Sequence, residues 1–229
     1  MDWLFNICSF LIGTCLASHA CVVVDRLGKE DFIFSRSKCN YCGCELCLLD
    51  EIPLISYLFL KGRCRYCHSA IPIEYWVIEF IGGCAYCTIN FADKNNILTA
   101  VVIFCLLLAA ISDYQKQAFD VILILPALIL ALLQGSKTVP QYTIVDYFQL
   151  LPILILFIYE IYRQKLGSGD LLIYLILSFY FQPEFANFTL LLASVLMLIN
   201  FILTHVRESE PIAFVPFIFL GLTIQLLSS

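Results

Sequence analysis

The chain has 229 residues, 61% of them hydrophobic and 14% charged, with a formal net charge of −5 and a mean hydropathy of +0.90. A soluble domain of this length cannot hide that much apolar surface, so the composition specifies an integral membrane protein, in contact with lipid. The charges sit between apolar runs and form no broad basic patch, which excludes a nucleic-acid binder.

Apolar runs of spanning or near-spanning length predict an all-α polytopic fold of about eight transmembrane helices. They are Trp3–Val24, Ile73–Phe91, Ile97–Ser112, Phe119–Leu133, Thr143–Ile161, Leu171–Phe181, Phe185–Thr204 and Ile212–Leu227. Several fall short of the roughly 20 residues an untilted helix needs. Leu171–Phe181 reads either as a half-helix or as the start of a run that continues past Pro183. The first run carries no basic residue at its N-terminal end, so it reads as a helix and not as a cleavable signal peptide.

With eight spans, eleven Lys and Arg fall on one side: Arg26, Lys29, Arg36, Lys38, Lys61, Arg63, Arg65, Lys116, Arg163, Lys165 and Arg207. Only Lys94 and Lys137 fall on the other. The positive-inside rule then puts residues 25–72 in the cytoplasm and both termini outside. The expected organisation is a first transmembrane helix at 1–24, a cytoplasmic cysteine-rich loop at 25–72, and a membrane domain at 73–229.

Six of the twelve cysteines (Cys8, Cys15, Cys21, Cys84, Cys87, Cys105) lie in apolar runs, where a thiol acts as a small hydrophobe. The others cluster in the polar loop. There Cys39-x-x-Cys42 and Cys64-x-x-Cys67 are separated by 21 residues, close to zinc-ribbon spacing, and can surround one tetrahedral Zn²⁺ with four thiolates. Four thiolates leave no position for water, so such a site is structural. Its binding energy, on the order of 10 kcal/mol, can order a loop without its own core. Cys44 and Cys47 form a competing pair. Ser37-Lys38-Cys39-Asn40-Tyr41-Cys42 mirrors Gly62-Arg63-Cys64-Arg65-Tyr66-Cys67, which favours the first pairing. His68 is an alternative ligand, and free or redox-active thiols are the metal-free reading.

Two acids at apolar borders are the candidate catalytic groups. Asp113 follows a long apolar run, and Asp170 closes Gly167-Ser168-Gly169-Asp170 before another. An Asp at the centre of a spanning helix costs roughly 2.5 to 3.5 kcal/mol. Two facing carboxyls share a proton, and such a pair can activate water while polarising a peptide carbonyl. Gly167 and Gly169 remove Cβ bulk and let a substrate backbone approach. Each acid also has a purely structural reading: Asp113 as an interfacial helix end, Asp170 as a cap for the helix at Leu171. Asp120 and Asp146 border apolar runs as well. His19, His68 and His205 are scattered, and no serine sits in a nucleophile-like turn, so a serine or cysteine protease is not indicated.

The combination resembles the type IV prepilin peptidases, membrane-embedded aspartic proteases of the GxGD type. The resemblance runs through Ala17 to Leu27, through Phe34-Ser35-Arg36-Ser37-Lys38-Cys39-Asn40-Tyr41-Cys42, and most specifically through Ile52 to Cys67. It continues at Asp113 with Asp120, at Gly167 to Asp170, and at Ile212-Ala213-Phe214-Val215-Pro216-Phe217, which is similar to a degraded Pro-Phe-Gly-Pro-Phe segment. It implies that Asp113 and Asp170 are the catalytic pair of a multi-pass bacterial plasma-membrane enzyme facing the cytoplasm. The implied substrate is the basic leader of a prepilin or pseudopilin, cut after a glycine. Many members also N-methylate the new N-terminus using S-adenosylmethionine. Departures occur at Ala17, Cys21, Glu74, Trp76, Phe119 and Leu172, and those at 17–21 and 74–76 bear on methylation more than on cleavage. They fit a divergent member, such as one serving a competence pseudopilus in a Gram-positive cell. The alternative is a non-catalytic membrane assembly factor with a zinc-ribbon docking loop. A small transporter would need the two acids to line an ion path, and no internal repeat supports it.

Overall fold

The computed structural model describes residues 2–27, 36–139, 142–204 and 212–228. Lys29 and Arg207 of the charge count, Phe34 and Ser35 of the first cysteine motif, and His205 lie outside the described residues. Within them the chain forms nine helices: α1 (Asp2–Arg26), α2 (Ile55–Phe59), α3 (Ile73–Tyr86), α4 (Lys94–Lys116), α5 (Val121–Thr138), α6 (Ile144–Tyr162), α7 (Ser168–Phe181), α8 (Pro183–Thr204) and α9 (Val215–Ser228). Each of the eight apolar runs corresponds to one helix, and only the short α2 has no counterpart among them. The sole β-structure among the described residues is two isolated bridges in the cysteine loop.

Four segments are long and apolar enough to cross a membrane: Trp3–Arg26, Lys94–Lys116, Ile144–Tyr162 and Pro183–Leu203. Val121–Gly135, Ser168–Phe181 and Val215–Ser228 are shorter apolar helices. Along α6 the large side chains of Ile144, Phe148, Leu151 and Ile155 are exposed, a surface that hydrocarbon covers and water does not. This is an all-helical, polytopic membrane protein.

Helix ends follow local rules. Gln117, at φ 53°, ends α4, and its N–H donates to the Asp113 carbonyl at 2.8 Å, a left-handed cap made without glycine. Beyond α6, Gln164 sits at φ 56°, with Gln164 N–H donating to Ile161 O at 2.9 Å and Lys165 N–H to Glu160 O at 3.0 Å. That is the Schellman pattern. Gln182 (φ 86°) and Pro183 separate α7 from α8, because proline opens a helix readily but cannot continue one. The question left open at Pro183 is thereby resolved: α7 and α8 are distinct, and α7 has 14 residues, about 21 Å of rise.

The chain divides into two compact units, Met1–Ala100 and Val101–Ser229. In the first, α1 packs on α3. A Cβ on Gly82 would collide with the Ala17 Cβ, and one on Gly13 would lie 2.8 Å from the Gly82 carbonyl. Small residues here let two backbones touch, which is how apolar helices associate without a hydrophobic driving force between them. Ala17 is fully buried. In the second unit α7 packs against α5, α6 and α8, and α8 against α9. Its buried centre includes Ile173, Tyr174, Ile176 and Leu177. Tyr174 stacks on Phe157 at 5.3 Å and donates to Asn187 Oδ1 at 2.9 Å, and Asn187 in turn donates to the Gln149 carbonyl at 3.1 Å. The Tyr174 hydroxyl and the Asn187 amide thus satisfy one another and the α6 backbone, as a lipid surround favours.

Replacing Gly82 by Val is expected to destabilise the first unit by about 1–3 kcal/mol through overpacking at this contact. Thermal unfolding of purified protein in detergent, compared with the wild type, measures it; an unchanged midpoint contradicts the α1–α3 contact.

Candidate active site and metal centre

The two Cys-x-x-Cys segments fold alike, position for position. In the first, Cys39 N–H donates to Cys44 O at 2.9 Å, Gly43 N–H to Cys39 O at 2.9 Å and Leu46 N–H to Ser37 O at 2.9 Å. In the second, Cys64 N–H donates to Ser69 O at 2.9 Å, His68 N–H to Cys64 O at 3.0 Å and Ile71 N–H to Gly62 O at 2.8 Å. The residue after each second cysteine takes a left-handed conformation, Gly43 at φ 70° and His68 at φ 57°. Isolated bridges Lys38–Glu45 and Arg63–Ala70 close the two turns. The mirrored sequence therefore encodes a mirrored pair of knuckles.

This repetition brings together the Sγ atoms of Cys39, Cys42, Cys64 and Cys67, all within 4.8 Å of one another. Cys39 and Cys67 sulfurs are 3.8 Å apart. Thiolates at about 2.3 Å around a tetrahedral ion are about 3.8 Å from each other, so the cage has the dimensions of a closed four-sulfur site. These four residues could hold a metal ion, and the sulfur donor set is compatible with zinc. The N–H groups of Cys42 and Tyr41 hold the Cys39 thiol down at about 6, and the hydroxyl and N–H of Ser69 lower that of Cys67. The competing cysteines lie outside this cage. Cys44 occupies the position equivalent to Ser69, and Cys47 Sγ instead meets the Tyr66 hydroxyl at 3.2 Å. His68 is exposed and sits in the turn, not among the donors.

Of the four candidate acids in the second unit, Asp113 and Asp170 are 8% and 9% exposed, whereas Asp120 is exposed and Asp146 half-buried. Asp146 forms a capping box with Thr143: Thr143 N–H donates to its carboxylate at 2.6 Å, and Asp146 N–H to Thr143 Oγ1 at 3.4 Å. It is a helix cap. Asp120 stands at the N-cap position of α5 without a side-chain hydrogen bond. Asp113 lies in the last turn of α4 and accepts the Val215 N–H on Oδ2 at 3.1 Å. Asp170 lies in the first turn of α7, which begins at Ser168 and not at Leu171, and its N–H donates to the Gly167 carbonyl at 3.3 Å. The two carboxyls lie within electrostatic range of each other. Neither has an ion-pair partner among the described residues. A Cβ on Gly169 would meet the tip of the Phe119 ring at 2.6 Å, so a side chain there would have to displace it.

Residues 11–92 match the Bacterial Peptidase A24 N-terminal domain. Across most of its length the chain is similar to proteins named prepilin leader peptidase/N-methyltransferase. The one from Vibrio cholerae is 23% identical over 225 residues, covering 90% of this chain and 89% of the relative. That from Pseudomonas putida is 27% identical, covering 82% and 69%, and that from Pseudomonas aeruginosa 24% identical, covering 97% and 90%. The likeness to the prepilin leader peptidase/N-methyltransferases thus extends over nearly the whole chain. No solved structure matches it.

The stretch shared with the A24 N-terminal domain also contains contacts that sequence reading did not single out. Asp50, 9% exposed, receives both Arg65 Nε and Nη2, the latter at 2.6 Å. This bidentate pair ties the end of the first knuckle to the second. Glu79, within α3, accepts the Leu54 N–H at 2.8 Å and holds Leu54 at φ 61°, a left-handed conformation uncommon for a large side chain. Tyr75 donates to Asp25 Oδ2 at 3.0 Å. A cavity of about 1050 Å³ opens among these residues and is also lined by Ser18, Trp76 and Cys39. Sequence alone does not reveal these partners, which lie 15 to 50 residues apart.

Metal analysis of the purified protein is expected to find one tightly held divalent ion per chain. Cys39→Ser and Cys64→Ser should lose it, while Cys44→Ser and Cys47→Ser should retain it. Metal-free protein in which all six loop cysteines react with an alkylating reagent contradicts the cage.

Proposed function

We propose that the protein is a membrane-embedded aspartic endopeptidase that removes the basic leader of type IV prepilins or pseudopilins at the cytoplasmic membrane face. In this reading Asp113 and Asp170 share one proton around a single water. The ionised carboxyl draws a proton from the water as its oxygen attacks the scissile carbonyl, and the protonated carboxyl donates to the carbonyl oxygen. Collapse of the tetrahedral intermediate returns a proton to the leaving amine. Gly167 and Gly169 keep the approach to Asp170 narrow in bulk. One observation carries the assignment: among the four candidate acids of the second unit, these are the two that are buried, close enough to interact, and without a cation. The names of the relatives that cover most of the chain support the same reaction.

The reading includes a topology and a division of labour. Eight spans, with residues 25–72 cytoplasmic, agree with the distribution of Lys and Arg and place the cleavage site where a basic leader waits. The loop (25–72) that follows the first helix (1–24) is then ordered by a structural Zn²⁺ on Cys39, Cys42, Cys64 and Cys67. Residues 73–229 carry the protease. The relatives' names also support N-methylation of the new N-terminus, for which S-adenosylmethionine would supply the methyl group. Lipid and the prepilin are the expected partners, and nucleic acid is not.

Incubation of the detergent-purified protein with a prepilin-type substrate, followed by mass analysis of the new N-terminus, tests cleavage and methylation together. Asp113→Asn and Asp170→Asn are each expected to lower cleavage by at least about 10³-fold while still inserting in membranes. Asp120→Asn should cut within a few-fold of wild type. A variant of Asp113 or Asp170 with normal cleavage overturns the dyad and favours a non-catalytic assembly factor.

A further inference from the structure

Helix α9 begins at Val215 in a way that leaves one backbone donor to be satisfied from elsewhere. Phe217 N–H and Ile218 N–H both donate to the Phe214 carbonyl, at 3.0 and 3.2 Å, and Pro216 has no N–H. Phe214, the residue before the helix, offers no side-chain acceptor of the kind that usually caps an N-terminus. The Val215 N–H is therefore the unpaired donor of the first turn, and Val215 is 2% exposed. A buried N–H must find a partner. It finds Asp113 Oδ2 at 3.1 Å, 102 residues earlier in the chain.

The contact is equally one-sided from the acid's viewpoint. Asp113 sits in the last turn of α4, the negative end of its own helix, where a carboxylate is disfavoured. The same carboxylate lies at the positive end of α9, where one is favoured. Pro216 supplies no N–H of its own and restricts the Val215 backbone that precedes it, so the first turn offers Asp113 this single donor. Oδ2 is thereby committed, and Oδ1 has no protein partner among the described residues.

We propose that the backbone amide of Val215 is a positioning group for the proposed protease. It holds the Asp113 carboxyl by Oδ2 and leaves Oδ1 as the oxygen that meets water and the Asp170 proton. This rests on the dyad reading. The Val215 side chain has no role in the chemistry; the donor is the main chain.

The decisive variant is Val215→Pro, which deletes the N–H at a first-turn position where proline fits a helix. With the prepilin-type substrate, kcat is expected to fall on the order of 10²-fold with little change in KM, and the pH–kcat profile to move by roughly one unit. Val215→Ala, which keeps the N–H, should lose far less and leave the profile in place. Equal losses in the two variants, or wild-type kcat and profile in Val215→Pro, overturn the proposal. Should Val215→Pro fail to fold, amide exchange in the otherwise wild-type chain decides it. Asp113→Ala should speed exchange at Val215 by about tenfold or more while the amides of Leu222 to Leu226 hold their rates; unchanged exchange at Val215 rejects the contact. The exchange measurement is independent of proteolysis. Loss of cleavage in Asp113→Asn and Asp170→Asn alongside a normal Val215→Pro defeats this inference alone, whereas normal cleavage in all three defeats the dyad itself.

Discussion

Two carboxyls buried in an apolar bundle, without a cation among the described residues, are the constraint around which the second unit is arranged. Removing an ion from water is expensive, and a salt bridge is the common remedy. Asp113 and Asp170 instead lean on helix N-termini: Asp113 accepts the Val215 N–H at the start of α9, and Asp170 sits in the first turn of α7. Three helices are thus involved, α4 and α7 carrying the acids and α9 approaching Asp113 with its positive end. A cation would tie up the carboxylate oxygens and fix both charges. Main-chain donors stabilise charge more weakly, and they leave oxygens available for a proton shared between the two acids.

The first unit solves a different problem by different means. A polar loop of this length has little core, and its order comes from repetition and cross-links. The two knuckles carry the same hydrogen bonds at the same spacing, four sulfurs converge, and the Asp50–Arg65 pair spans the turn between them. Glu79 then fastens the loop to α3 through the Leu54 N–H. If a metal ion occupies the cage, its charge is balanced by thiolates already favoured by nearby N–H groups at Cys39, so binding and folding of the loop are one event. The knuckle takes left-handed residues at Gly43 and His68 alike because the same backbone hydrogen bonds close both turns, and His68 accepts the strain that glycine avoids.

Much of this was legible in the sequence, and the reason differs by feature. Helices were readable because apolar runs have a length set by lipid, and their ends carry proline or polar residues. The cysteine pairing was readable because a knuckle is local, so identical residues at identical offsets give identical turns; the choice of Cys39/Cys42 over Cys44/Cys47 agrees with the sulfur geometry. Asp146 could not be separated from Asp113 by sequence, since both border apolar runs, and only the Thr143 contact shows one to be a cap. The donors to Asp113 and Glu79 were illegible in principle. They are main-chain groups of Val215 and Leu54, and any residue but proline supplies an N–H. The short α2 was hidden because five residues have no periodicity to read.

Phe119 joins the reading of residues to that of packing. By resemblance a proline belongs before Asp120, and the phenylalanine there looked like simple divergence. Its ring lies where a Cβ on Gly169 would be, so it fills the space that the glycine leaves beside Asp170. A proline would fix the backbone ahead of α5 but present a smaller ring to α7. The phenylalanine gives up that rigidity and gains contact across the first turn of α7. The space at Gly169 is therefore occupied by a side chain outside the motif. Any side chain at 169 would have to displace that ring, a steric constraint that the chemistry of the acid does not itself impose. Motif and departure are, at this point, two sides of one contact.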